Sequence, residues 1–363
     1  MNKSLALALG ALLLTGGGAM AQEEQVLNLY NWSDYRADDT LTNFTKQTGI
    51  KVVEANYDSN EALEAKLVAG HTGYDVVVPT ANFLQHQIPL GLYLKLDKSK
   101  IPNLANVDPA IMKATAAFDP GNVYAVNYMR FSLGIGYNVD MINQRDANAP
   151  TDSFALFFDP DNAKKYADCG IELLDSPQEI LGMALIYLGI DPNSEKPDDL
   201  AKAEKVMDGI KPYIRKFDSS GYIDDLANGD ACLVMGYSGD IAIAQSRAAD
   251  AKNNVNIQYR IPKEGSIAEY DMMAIPADAP HPENALKFIN YILQPEVEAG
   301  ITDAVFYANP VPAATKLVDP TISGDPNIYP PADVQAKMQG LLTHSQDFTA
   351  LMTRTWTRIK TGD

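Results

Sequence analysis

Acidic and aromatic side chains recur together at the ends of apolar segments, and they are the residues here best able to do chemistry. Trp32, Asp34 and Tyr35 follow the apolar run 26–30, and Glu179 opens a helical stretch after Leu173-Leu174-Asp175. Tyr237 and Asp240 follow 231–236, Tyr270-Asp271 open another extended run, and Phe306-Tyr307 precede Ala308-Asn309-Pro310. Buried carboxylates need cationic or hydrogen-bonding partners, and aromatic faces attract ammonium groups. A cleft walled by Trp and Tyr with Asp or Glu at its ends would suit an aliphatic chain with an amine at each end. Taken singly each residue has a plainer reading: Trp32 as core, Asp34 as a helix N-cap, Glu179 as favourable charge at a helix start. Other chemistry is poorly represented. There is no G-x-S-x-G elbow, P-loop, G-x-G-x-x-G or H-E-x-x-H. His71, His86, His281 and His344 are scattered without ligand spacing, so neither a metal nor another cofactor is expected. A pair of hydrolytic carboxylates has no fixed spacing and stays open as an alternative.

The elements that would position these residues alternate. Residues 26–30 read as a strand, 39–47 as a helix stopped by Gly49, and 51–56 as a second strand. Asp58-Ser59-Asn60-Glu61 reads as a capping box for a helix through Ala69, and 74–78 as a short strand buried on both faces. A βαβαβ start implies a doubly wound α/β sheet, which binds ligands beyond the carboxyl ends of its strands. That rule points to 31–35 and 79–82. Two extended runs, 123–128 and 132–137, precede a second α/β series with strands near 172–174, 231–236, 255–261 and 270–275, and helices over 178–188 and 198–210. A helix is expected from Pro330-Pro331 to about Leu342, and a last one over 348–359. No flexible linker separates the halves, so the chain is expected to cross between two lobes on strands that act as a hinge.

The 363 residues suffice for two domains, and 46% hydrophobic residues supply two cores. With 29 Lys+Arg against 47 Asp+Glu the formal charge is −18, which argues against nucleic acid and anionic lipid as partners. Lys3, the apolar run 5–14 and Ala19-Met20-Ala21 form an export signal, with cleavage expected after Ala21. Without a cysteine at the new N-terminus no lipid anchor is available, and a soluble protein of the Gram-negative periplasm is expected. Cys169 and Cys232 are the only cysteines. In an oxidising compartment two thiols usually pair, although two separate buried thiols stay open.

From Asn28 onward the chain resembles the periplasmic polyamine-binding proteins of ABC importers, most nearly the putrescine-binding branch. The match is carried by Tyr30-Asn31-Trp32-Ser33-Asp34-Tyr35, Tyr74-Asp75-Val76-Val77-Val78-Pro79, Tyr222-Ile223-Asp224-Asp225-Leu226-Ala227-Asn228-Gly229-Asp230, Ile261-Pro262-Lys263-Glu264-Gly265, Phe306-Tyr307-Ala308-Asn309 and Ile328-Tyr329-Pro330-Pro331-Ala332-Asp333-Val334. The resemblance implies a two-lobed α/β fold of the type II periplasmic binding class, each lobe a doubly wound, mostly parallel sheet. It implies lobes over 22–131 plus 262–310 and 132–261 plus 311–363, a Cys169–Cys232 disulfide, and a monomer that closes on its ligand and presents it to an inner-membrane permease.

The family's site falls on Trp32, Ser33, Asp34, Tyr35, Thr80 (more often serine), Glu179, Asp240, Asp271 and Tyr307. Asp240 and Asp271 are expected to anchor one ammonium, Trp32 and Tyr307 to line the methylenes, and Ser33, Asp34 and Glu179 to serve the far end, partly through water. Two wall positions depart from the pattern, Tyr237 for a usual tryptophan and Glu269 for a usual aromatic. Glu269 either turns to solvent or adds a carboxylate beside Asp271, which would favour a ligand with an additional amine. The reading is a non-catalytic receptor for putrescine, with spermidine, agmatine or cadaverine as alternatives. An exported carboxylate hydrolase or a ferric-ion receptor would be the competitors from other classes.

Overall fold

The structure, a computed structural model, describes residues 23–362. The export signal and its cleavage point lie outside the described residues. The first half begins with β1 (Val26–Trp32), β2 (Lys51–Tyr57) and β3 (Val76–Val77), with β1 in the middle and both neighbours parallel to it. Between β2 and β3 runs the helix Asn60–Ala69. Its cap differs from the expected box: Ser59 is the N-cap, its hydroxyl accepting from the Ala62 amide, so Glu61 sits at the second helical position with no reciprocal bond to make.

Where two strands were expected at 123–128 and 132–137, one 14-residue strand runs through, β4 (Ala125–Asn138). The join Met129-Arg130-Phe131 carries none of the Gly, Pro, Asn or Asp residues that turn a chain. Its first part pairs with β9 (Ser266–Ala274), and its second with β7 (Leu233–Tyr237) and β8 (Ile257–Arg260). β5 (Ile171–Leu173) and β6 (Ile214–Phe217) complete the path β2-β1-β3-β9-β4-β7-β5-β6. β1, β2 and β3 are mutually parallel, as are β5, β6 and β7, while β4 and β9 run against them and cross between the halves. The helix expected over 330–342 is a single turn, Ala332–Gln335, followed by β10 (Met338–Gln339) beside β9. Strand pairing takes over there, and Gly340 ends any helical continuation.

Two main cores lie on either side of the crossing strands. One gathers Leu27, Leu29, Phe44, Ile289 and their neighbours; the other gathers Leu133, Ile171, Leu233, Trp356 and theirs. Phe131, Tyr237 and Phe306 are half-buried against both. Val311, Ala314, Val318, Ile322 and Ile328 are buried in the first core, although the sequence reading assigns 311–363 wholly to the second lobe. Ile267 is buried in the second core, although 262–310 is assigned to the first. Only from Leu341 onward does the C-terminal segment pack into the second core.

Cys169 and Cys232 are bonded, 63 residues apart, and tie the end of the helix Pro160–Tyr166 to the residue before β7. Closing a loop of that length stabilises the fold by about 4 kcal/mol in the chain-entropy model. Reduction should therefore lower the urea midpoint in proportion, with two thiols appearing only after the reductant is added. An unchanged midpoint would contradict a stabilising role.

Candidate functional site

Six segments converge on one cavity of about 310 Å³ where the two halves meet. The turn after β1 brings Trp32, Ser33, Asp34 and Tyr35; the end of β3 brings Thr80; the helix Pro177–Tyr187 brings Glu179; and the helix Ser238–Ala251, leaving β7 at Tyr237, brings Asp240. Asp271 comes from β9 and Tyr307 from the segment beyond the helix Pro295–Val305. Ten of the eleven residues expected at the site line this cavity. The eleventh, Glu269, is only 5% exposed and lines an adjoining recess of about 30 Å³. Of its two readings, the turn to solvent is not met. Residues two apart on a strand share a face, and Glu269 therefore follows Asp271 inward.

The acids are held by hydroxyl donors, with no cation bonded to them. The Asp271 carboxylate accepts from the Tyr35 hydroxyl at 2.7 Å and the Thr80 hydroxyl at 2.8 Å. Behind it, Asn127 in the β4 bulge donates to the Met129 and Asp271 carbonyls, which fixes the strand at this point. Asp240 accepts from Tyr222 and from Tyr307, each at 2.7 Å. Tyr307 is buried in the first core and Asp240 stands on a helix packed into the second, so this bond spans the cavity. Glu179 accepts from the Tyr237 hydroxyl at 2.9 Å. Trp32 donates its indole N–H to the Val78 carbonyl at 2.9 Å and rests on Tyr57, while Tyr35 and Phe131 meet Tyr307 edge-on.

Asp34 differs from the rest. It is exposed, with φ 53°, and its carboxylate pairs with Arg247 at 2.7 Å; Arg247 also reaches Asp224 at 2.8 Å. Phe131, Tyr222, Arg247 and Asn60, which bonds Thr80, belong to the arrangement without having been singled out as site residues. Gly239 is another. A methyl group there would stand 2.0 Å from the Tyr307 ring, so glycine is what lets that ring lie on the first helical turn. Nothing local in the sequence marks these positions, because their partners are distant in the chain.

Burial dominates the electrostatics. It pushes the Asp271 carboxyl up to about 7 and Asp240 up to about 6, with the tyrosine and threonine hydroxyls pulling the other way. Glu179 is pushed up to about 7 by burial, and Glu269 well above the usual range by burial and then by Glu179 and Asp271. Asp240 and Glu179 lie in the first turns of their helices, where the macrodipole favours a carboxylate by about 0.3–1 kcal/mol, less than one pKa unit. Desolvation outweighs it. The cavity is thus primed to lose protons when positive charge enters.

A carboxyl whose folded pKa is raised binds more protons folded than unfolded, so its contribution to stability falls as pH rises through that window. Asp271→Asn removes this dependence. Relative to the unsubstituted protein, the ligand-free variant should gain about 3 kcal/mol between pH 5 and pH 8 in urea unfolding. A constant difference across that range would contradict the raised carboxyl.

Comparison with known proteins agrees with this architecture. Residues 39–330 match the family described as bacterial extracellular solute-binding protein. The putrescine-binding periplasmic protein PotF of Escherichia coli is 48% identical over 358 residues, covering 98% of this chain and 97% of that protein. The putrescine-binding periplasmic protein SpuD of Pseudomonas aeruginosa is 50% identical over 366 residues, covering both chains in full. The crystal structure of the spermidine/putrescine ABC transporter substrate-binding protein PotD of Streptococcus pneumoniae superposes with a TM-score of 0.76 at 27% identity, covering 93% of this chain and 99% of that one. With two lobes joined by crossing strands and a cavity between them, the chain belongs to the bacterial extracellular solute-binding proteins.

Proposed function

We propose that this protein is a non-catalytic periplasmic receptor for an aliphatic polyamine, putrescine first, which it captures between its lobes and delivers to an inner-membrane ABC permease. In this reading it is exported with its signal removed after Ala21 and acts as a monomer. The observation that carries the reading is a pair of carboxylates from opposite sides, the buried Asp271 and the half-buried Asp240, facing one cavity walled by Trp32, Tyr35, Phe131 and Tyr307. Arg247, the one Lys or Arg lining that cavity among the described residues, is committed to Asp34 and Asp224. An alkyl diammonium supplies what is missing: positive charge for the acids and methylenes for the rings. Names of the relatives in Escherichia coli and Pseudomonas aeruginosa, which specify putrescine, support the same ligand.

Because the ligand touches both lobes, it stabilises the closed form over the open one. Entry of an ammonium between raised carboxyls draws protons off them, so affinity should rise from pH 5 to pH 8. Calorimetric titration of ligand-stripped protein with putrescine, spermidine, spermine, cadaverine and agmatine tests the reading. Putrescine should saturate at one per chain and be recovered unaltered. Asp240→Asn and Asp271→Asn should each weaken it roughly ten- to a hundredfold, the cost of a charge-assisted hydrogen bond, without loss of folding. Absence of binding, or unchanged affinity in both variants, would refute the proposal.

Gly239→Ala probes closure separately. Its added methyl group collides with the Tyr307 ring where the two halves meet, leaving the second core untouched. Affinity should drop at least tenfold while the unfolding midpoint moves little, and wild-type affinity would show that closure does not need this contact.

A further inference from the structure

The recess beside the main cavity holds a group that the two-ammonium reading does not use. Glu269 Oε1 is fully buried and has no hydrogen-bond partner. A buried carboxylate without partners is costly enough that its persistence calls for an explanation. Glu179 lines the same recess and, with Trp32, Asp58, Asn60, Ser219 and Tyr237, lines the main cavity as well, so the two spaces adjoin through six shared residues. About 30 Å³ is room for one water-sized group, and an ammonium is of that size.

The charges around the recess are one-sided. No Lys, Arg or His lines it. Asp58 and Glu61 on its wall are exposed, and Asp175 is already matched by Lys360 at 2.7 Å. Glu179 is engaged by the Ser176 and Tyr237 hydroxyls, and Asp271 lies two residues from Glu269 on the same strand. On another side Glu269 shares a hollow with Arg130, yet that guanidinium lies 5.7 Å over the Tyr329 ring, and its Nε is itself buried without a partner. Among the described residues no cation is bonded to Glu179 or Glu269.

We infer that the Glu179–Glu269 recess is a third ammonium subsite, so that the receptor favours a triamine whose extra charged end enters the recess while its other two ammoniums occupy the main cavity. The inference rests on the polyamine reading and revises its order of ligands, placing a triamine ahead of putrescine. A diamine fills the main cavity and leaves Glu269 unused. A triamine brings the one group that the buried oxygen lacks, and its arrival drives a proton off the carboxyl pair.

The test titrates ligand-stripped protein with putrescine and with spermidine at pH 7, in two buffers of different ionisation enthalpy, for wild type and Glu269→Gln. Wild type should bind spermidine more tightly and release more protons with it than with putrescine. Glu269→Gln should abolish the extra release and weaken spermidine roughly tenfold or more, while putrescine changes less than about threefold. Equal proton release for both ligands, or equal effects of the substitution on both, overturns the subsite and leaves the polyamine reading standing. Failure of wild type to bind either amine overturns that reading and the subsite with it. Should Glu269→Gln not fold, the wild-type proton counts decide alone.

Discussion

Everything at the centre of this molecule follows from the difficulty of burying a carboxylate. Asp271 is withdrawn from water and Asp240 half-withdrawn, and each is given two hydroxyl donors but no bonded cation. Tyrosine and threonine hydroxyls stabilise the charge in part and leave the carboxyls raised. An arginine in their place would neutralise the site outright. The protein keeps Arg247 on Asp34 and Asp224 instead, so the inner acids stay unsatisfied until something positive arrives. That design suits a receptor: the strongest attraction in the cavity is reserved for the ligand.

The same constraint explains the architecture. One acid stands on the strand β9 and is fixed by Tyr35 and Thr80; the other stands on a helix packed into the second core and is reached by Tyr307 from the first. Charge burial and lobe contact are therefore one event. The crossing strands β4 and β9 join the cores without a flexible linker, the connection on which two halves can close as bodies. The glycine at 239 removes the one side chain that would hold the faces apart.

Much of this was legible in the sequence because it is local. The βαβαβ opening, the ends of β1 and β7, and the acid–aromatic groups at 32–35 and 237–240 are read from short stretches, and resemblance over the whole chain joined them into one site. The misreadings share a different cause. Phe131 was hidden because β4 was read as two strands, with its hinge portion passing for a gap. Val311–Ile328 pack back into the first core through short proline-led turns that look like any connection. Arg247, Tyr222 and Gly239 matter through partners far along the chain. Glu269 had two readings on sequence grounds, and only the shared strand face with Asp271 decided between them.

Small-angle scattering of the ligand-stripped protein, with and without saturating putrescine at pH 8, tests the central claim most directly. If buried acids on opposite lobes are the reason the lobes close, the radius of gyration falls when the diammonium binds, and Asp240→Asn reduces that fall at equal putrescine concentration. A radius unchanged at calorimetric saturation would contradict the account, showing a cavity that binds its ligand without drawing the lobes together.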